Sequence, residues 1–200
     1  RMAVDLANGD PIKDNYCDPI DYEVSRPLAA DKTVKGLYSG GSLAAEAGML
    51  IAEALNLGGL IKEEGYILKT GGYEVVDLGD DVYTQGKPHP MIDPEVRIKK
   101  ILECAKDPQT GVILLDCMLG YGCHPDMAGA LAPAIREAQE IAKADGRELY
   151  FVASVCGTRQ DPQDYDRAVA ELKECGVLVE ESNARAIRLA LKLKGIDYKV

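Results

Sequence analysis

Four short stretches carry the residues best suited to chemistry, and each stands where a β-rich run gives way to a helical one. Ser39-Gly40-Gly41-Ser42 joins the run Val34–Tyr38 to an Ala/Leu/Met-rich helix with Leu43, Ala47, Leu50, Ile51 and Ala54 on one stripe. Ser42 is placed as the cap of that helix. A glycine-rich turn at a helix start leaves backbone N–H groups at the positive end of the dipole, which suits an anion. Gly120, Gly122 and His124 lie in CMLGYGCHP, after the apolar run Val112–Asp116. Gly157, Thr158 and Arg159 follow Leu149–Ser154, and Asn183 opens the last helix. Ser39, Ser42 and Thr158 bring hydroxyls, and Arg159 brings a bidentate clamp. Together they read as a binding site for a small anionic substrate. The competing reading is that the glycines only make tight turns.

His124 is the candidate catalytic residue, as a phosphoryl acceptor or general base. Otherwise it is a loop histidine bonded to neighbouring backbone. His89 sits in Lys87-Pro88-His89-Pro90 and either folds over the same loops with Lys87 or stays solvated. Asp80-Asp81 and Asp116 suit a magnesium–phosphate pair, with Asp116 alternatively bonding loop amides. Cys117, Cys123 and His124 match no standard zinc spacing, so no metal site is expected. Cys156 is either a nucleophile or a small apolar thiol.

The elements that position these residues follow a repeated strand–helix order. The strands are Val34–Tyr38, Tyr73–Gly79, Val112–Asp116, Leu149–Ser154 and Val177–Val179. Asp93-Pro94 starts a helix to about Lys106, Asp126 one to about Ala144, Asp161-Pro162 one to Cys175, and Ser182 or Asn183 the last. Pro133 marks a kink or a later start in the second of these. Asn56–Gly72 is read as a glycine-rich loop with a short extended piece at Tyr66-Ile67-Leu68. The pattern implies an α/β fold: a flavodoxin-like open parallel five-stranded sheet with helices on both faces. Ligands in such sheets bind at the carboxyl ends of the strands. No GxGxxG follows the first strand, which argues against a dinucleotide. Residues 1–32 lack periodicity and are read as an arm or linker, packed on the domain or on a partner, or equally as the tail of an upstream domain, and 33–200 as the domain.

Bulk composition narrows the partners. A net charge of −10 over 200 residues opposes binding to nucleic acid. No signal peptide and no membrane-spanning apolar run is present in the sequence. The six cysteines fall mostly within or at the ends of apolar elements, which fits reduced thiols and a cytoplasmic setting. They include no CxxC, so a redox role has little support. Arg1-Met2 is an unusual start and suggests a fragment of a longer chain.

Several long strings carry a family resemblance: VKGLYSGGSLAAEA, VVDLGDDVYTQGKPHPMIDPEVR, VILLDCMLGYGCHPDMAGALAPAI, VASVCGTRQDPQ and ESNARA. Over about residues 33–192 the chain resembles the C-terminal half of the FdrA proteins, which are similar to acyl-CoA synthetases of the succinyl-CoA ligase type. The resemblance implies a CoA-ligase domain. It also implies upstream CoA-binding parts that this chain lacks, so that CoA, or a nucleotide with magnesium, would come through a partner domain. In succinyl-CoA synthetases a histidine in a Gly-His-Ala-Gly-Ala motif carries phosphate. Here the corresponding stretch is Cys156-Gly157-Thr158-Arg159-Gln160, without histidine. FdrA-type proteins are also implicated in purine (allantoin) catabolism, as a component of an oxamate carbamoyltransferase. The resemblance therefore leaves three functions open: an acyl-CoA synthetase-like enzyme acting on an acyl- or carbamoyl-phosphate or CoA-linked anion, a carbamoyltransferase component, and a non-catalytic scaffold for a partner ligase or transferase subunit. By analogy, a homo-oligomer is expected.

Overall fold

The computed structural model describes residues 6–9 and 18–198. The expectations for residues 1–5, 10–17 and 199–200, including most of the arm's beginning, lie outside the described residues. The strands are β1 (Thr33–Tyr38), β2 (Tyr66–Thr70), β3 (Tyr73–Asp77), β4 (Thr110–Met118), β5 (Tyr150–Cys156) and β6 (Leu178–Glu180). The helices are α1 (Gly41–Ala54), α2 (Asp81–Thr84), α3 (Glu95–Lys106), α4 (Met127–Ala144), α5 (Tyr165–Glu174) and α6 (Asn183–Leu193).

The sheet order is β2-β3-β1-β4-β5-β6. Five strands, β3-β1-β4-β5-β6, run parallel, in the flavodoxin-like order that the strand–helix repeat implies. The chain steps outward from β1 to β3 and then returns past β1 to β4. The reversal places a crevice at the carboxyl ends of β1 and β4. The strand count differs from the expected five. β2 is a sixth strand, antiparallel to β3 at the sheet edge, and the sheet is therefore mixed. Gly71-Gly72 makes the two-residue hairpin between them, with Gly72 at φ 95°.

Alternation along the strands divides the core between two faces. Leu37, Ile113, Leu115 and Phe151 meet Ile101, Leu131, Ile135 and Leu172 from α3, α4 and α5. Val34, Tyr38, Val75, Leu114 and Val152 meet Leu50, Ile51, Ile187 and Leu191 from α1 and α6. β4 is buried at every position but its last, as a central strand covered on both sides should be.

The starts of α1, α3 and α5 differ from expectation. α1 begins at Gly41, with Gly40 in the cap position, so Ser42 lies inside the first turn and is not the cap. The cause is Asp116, which takes the Ser39 and Gly40 amides and fixes the turn early. α5 begins at Tyr165, because Asp161 closes its own turn onto the Thr158 N–H while Asp164 caps the helix through the Arg167 N–H (2.9 Å). α3 begins at Glu95 with Pro94 in the cap position, and Asp93 accepts the Glu95 N–H (2.9 Å) from one residue earlier. α4 starts at Met127, capped by Asp126 as expected, and Pro133 lies within it. Residues 18–32 run along α6. The Leu28 N–H donates to the Leu193 carbonyl (2.9 Å) and Lys192 Nζ to the Ile20 carbonyl (2.8 Å). Lys194 Nζ donates to the carbonyls of Ala29, Ala30 and Lys32.

Candidate functional site

Asp116 is the pivot of the carboxyl edge. It lies near the end of β4, two residues before its last, with no exposed surface. Its carboxylate accepts from the Ser39 N–H (2.9 Å), the Ser39 hydroxyl (3.0 Å) and the Gly40 N–H (2.7 Å). From the opposite side Arg97, also fully buried, donates Nη2 to Asp116 Oδ1 at 3.0 Å and to the Asp116 carbonyl. Arg97 Nε and Nη1 are buried without a partner. A single carboxylate thus joins β4, α3 and the turn that opens α1. It takes the loop-amide role weighed against the magnesium role. Asp80 is likewise spent on capping α2, through the Val82 N–H (3.0 Å). Among the described residues no three His, Cys, Asp or Glu groups are arranged for a metal ion.

The opening turn of α1 lies beside a second carboxylate. A Cβ on Gly40 would come within 3.2 Å of Asp116 Oδ2, and one on Gly41 within 2.7 Å of Asp77 Oδ2. A side chain at Gly41 would clash with Asp77, whereas one at Gly40 would ask Asp116 to shift by a few tenths of an ångström. Helix geometry leaves the Gly41, Ser42 and Leu43 amides without an internal acceptor. Gly40 supplies no capping side chain, and the first turn holds no acid. By contrast Asp126, Asp164 and Ser182 cap α4, α5 and α6 with their side chains. Gly41 and Ser42 are exposed and Leu43 is half-buried.

Asp77 ends β3 and accepts the Gly79 N–H at 2.9 Å. Desolvation pushes its carboxyl above the usual value; the Gly79 bond opposes this, Asp80 and Asp116 add to it, and His89 opposes it. Ser39 is buried and committed to Asp116. Asn183 is buried too. It accepts from the Tyr38 hydroxyl (3.0 Å) and donates to the Leu43 carbonyl (3.0 Å) and to Glu46 (2.7 Å), tying α6 to the start of α1. Burial, then Asp116 and Glu46, raise the Tyr38 hydroxyl well above its ordinary value, so it stays a neutral donor.

The β4 loop is held by Gln163, which accepts the Gly120 N–H and donates to the Gly120 carbonyl, both at 2.9 Å, and donates to the His124 carbonyl at 3.2 Å. His124 Nδ1 accepts the Asp126 N–H (3.0 Å). A Cβ on Gly122 would meet nothing, so no close approach explains a glycine there. Gly157 is different: its Cβ would fall 2.6 Å from Leu119 Cβ.

Thr158 Oγ1 accepts the Gln160 N–H (3.1 Å). Arg159 is exposed, pairs with both oxygens of Asp166 at 2.8 Å, and lies 5.6 Å from the Tyr165 ring centre. That hydrogen bond holds the Asp166 carboxyl below its ordinary value. Thr158 and Arg159 line an open cleft of about 820 Å³ beside β6, together with Lys173, Glu180 and Glu181. The Cys156 thiol is pushed up by desolvation and by Asp116 and Asp161, away from the thiolate that a nucleophile uses.

The anticipated residues therefore fall into three groups. Ser39, Gly40, Gly41 and Ser42 gather at the opening of α1, with Asn183 bracing that helix from inside. Gly120, Gly122 and His124 belong to the Gln163-stapled loop. Gly157, Thr158 and Arg159 stand by the β6 cleft. Sequence reasoning missed Arg97 and Asp77. Arg97 carried a signal: it falls on the stripe with Ile101 and Ala105 that α3 buries, where a cation needs a partner.

Over residues 37–193 the sequence matches the CoA-ligase family. It is 35% identical over 184 aligned positions to Uncharacterized protein YahF of Escherichia coli (strain K12). That alignment takes in 84% of this chain and 36% of YahF, so the chain spans about a third of that relative's length. A putative pilus assembly-related protein of Burkholderia pseudomallei aligns in structure over 88% of this chain and 98% of its own, with a TM-score of 0.43 and 12% identity, a likeness too weak to build on.

Proposed function

We propose, from the premise that the chain belongs to the CoA-ligase family, that it binds the phosphate or carboxylate of an acyl-phosphate, carbamoyl-phosphate or CoA-linked substrate at the amino end of α1. The observation that carries this reading is the uncapped first turn. Asp116 absorbs the Ser39 and Gly40 amides. It thereby anchors the turn that leads into the Gly41, Ser42 and Leu43 N–H groups, which helix geometry leaves without an internal acceptor. Donors fixed in advance stabilise charge without reorganising when it arrives. Arg159 already gives its Nε and Nη2 to Asp166, so bidentate clamping of a ligand from that edge would require exchanging Asp166 for it.

A second reading, the FdrA-type carbamoyltransferase component, is favoured by one specific contact. Asp77 Oδ2 lies against Gly41, beside these donors. A carboxylate there repels a plain anion but accepts from an N–H. Carbamoyl phosphate and oxamate each carry an anionic end and an amide NH2; acetyl phosphate has no such donor. CoA, or a nucleotide with magnesium, would reach the site from parts of a longer protein, given how much of YahF lies outside the match.

A thermal-shift panel on this chain tests both readings, with inorganic phosphate, carbamoyl phosphate, acetyl phosphate, oxamate, CoA and ATP–magnesium. Ligand at 100 times its dissociation constant adds about 2.7 kcal/mol, a shift of a few degrees for this length. Ser42→Asp places a carboxylate over the same amides and should abolish any phosphate shift while leaving the fold intact or slightly firmer. A shift that survives in Ser42→Asp removes the ligand from α1. A response to acetyl phosphate equal to that for carbamoyl phosphate removes the second reading.

A further inference from the structure

The two edges of the sheet are finished differently. At the β2 edge the chain covers its own strand: the Lys69 N–H donates to the Ile61 carbonyl at 2.9 Å, and Glu63 bridges Tyr66. β6 forms the opposite edge and pairs with β5 through Leu178, Val179 and Glu180. Among the described residues no further strand or bridge covers its outer side. Apart from its short length, little blunts this edge. Leu178 and Val179 are apolar, Glu180 is held back by Arg185 at 2.9 Å, and neither a proline nor a register shift interrupts the strand.

Open ground flanks β6 on both sides. The cleft of about 820 Å³ lies on the α5 side, where Val169 and Val179 line it. A second cleft of about 360 Å³ lies on the other side, against Tyr22, Leu178 and Leu189. Val177 and Val179 pack with the α5 core and Leu178 with the α6 core, so the side chains alternate as in any strand. Glu181 continues the α5 side and lines the larger cleft. Lys173, in the last turn of α5, lines both clefts. It stands at the amino end of β6: the Gly176 N–H donates to its carbonyl (2.9 Å) and the Val177 N–H to that of Leu172 (3.1 Å). Lys173 and Glu181 are both exposed. The edge thus carries a cation at its amino end and a carboxylate at its carboxyl end, on one face. An antiparallel copy of it sets each cation against a carboxylate, whereas a parallel copy sets like against like.

We propose that β6 is a self-pairing edge, on which a second copy of this chain adds its own β6 antiparallel about a two-fold axis at Val179. An isologous contact requires that reciprocity. In this register Val179 faces the partner's Val179, a favourable β-branched pair, and Leu178 faces the partner's Glu180. Val177 faces the partner's Glu181. Opposed side chains share a face, so that carboxylate arrives on the α5 side, where Lys173 stands. The contact occurs twice. Each copy carries a net charge of −10, so no general attraction draws two copies together. The Lys173–Glu181 contacts set direction and register, while the ladder and the apolar walls of the clefts supply the affinity. A ladder this short makes a small interface, with dissociation in the micromolar rather than the nanomolar range.

Sedimentation velocity of this chain, from low to high micromolar concentration, tests the pairing. The parent should show a monomer–dimer equilibrium. Lys173→Glu alone sets carboxylates against carboxylates, and Glu181→Lys alone sets lysines against lysines. Each should weaken the dimer about tenfold, through two lost contacts and two repulsions between exposed charges. An equimolar mixture of the two variants should recover the dimer, because every contact then joins unlike charges. Both positions are exposed, and far-UV circular dichroism confirms that each variant is folded. A parent that stays monomeric at every concentration would overturn the proposal and leave the edge to a strand of a different protein. A dimer that neither variant weakens would overturn it too, by placing the contact on another surface. Weakening by both variants without recovery in the mixture would overturn the antiparallel register.

Discussion

Asp116→Ala is the substitution that probes the edge most directly. It removes the acceptor for the Ser39 amide and hydroxyl and for the Gly40 amide, and it strips Arg97 of its only counter-charge among the described contacts. Arg97 keeps the Asp116 backbone carbonyl, but its Nε and Nη1 already lack partners. Breaking a fully buried ion pair from one side costs about 3–5 kcal/mol, because the remaining charge stays buried without compensation. That is a large part of the roughly 5–15 kcal/mol that holds a domain folded. Asp116→Asn preserves shape but must turn its NH2 toward either Arg97 or the Gly40 amide, both donors. It should therefore lose most of the same energy.

Arg97→Met gives the discriminating comparison. It removes a charge whose desolvation is poorly offset, and it leaves Asp116 with three loop donors at the dipole end of α1. Its cost should fall below that of Asp116→Ala. The double variant should cost less than the two singles together, with a coupling of about 0.5–3 kcal/mol. Urea unfolding followed by far-UV circular dichroism suits a chain with no tryptophan. An Asp116→Ala loss below about 1 kcal/mol would refute the reasoning, since ordinary substitutions away from such networks cost that little. So would Arg97→Met proving the costlier change.

Gly157→Ala should cost about 1–3 kcal/mol by overpacking, since the new methyl would overlap Leu119, and the midpoint of the same urea transition measures it. Asp77→Asn tests the carboxyl beside Gly41. Its folded value is raised above the ordinary 3.8, so the carboxyl group favours the folded state at low pH and ceases to do so as pH rises through that raised value. Asp77→Asn should accordingly raise the melting temperature at pH 7 relative to the parent, and the advantage should close as pH falls below the ordinary carboxylate range. An advantage that is constant from pH 3 to 8 would show that ionisation is not its source.

The parallel part of this fold was legible because its signals are local. Val112–Asp116 is apolar on both faces, and Asp126 and Ser182 announce their helices by type alone. β2 was also announced, by two β-rich runs flanking Gly71-Gly72, but the glycines at 58, 59 and 65 drew the whole stretch into one loop. The site was less legible for a different reason. A helix start is set by whatever takes its first amides, and at α1 that group is Asp116, a residue 76 positions away from Gly40. No local rule could then choose between Gly40 and Ser42 as the cap.

The same distance explains why glycine spacing misled. At Gly41, Gly79 and Gly157 a side chain from elsewhere occupies the space of the missing Cβ. Gly122, which looks identical in sequence, meets nothing. A glycine's meaning is therefore set by the element that approaches it. At this edge the approaching groups are Asp77, Asp116 and His89, two carboxylates and an imidazole. An anion that binds among them must bring its own hydrogen-bond donor or lie wholly on the amide side of Asp77.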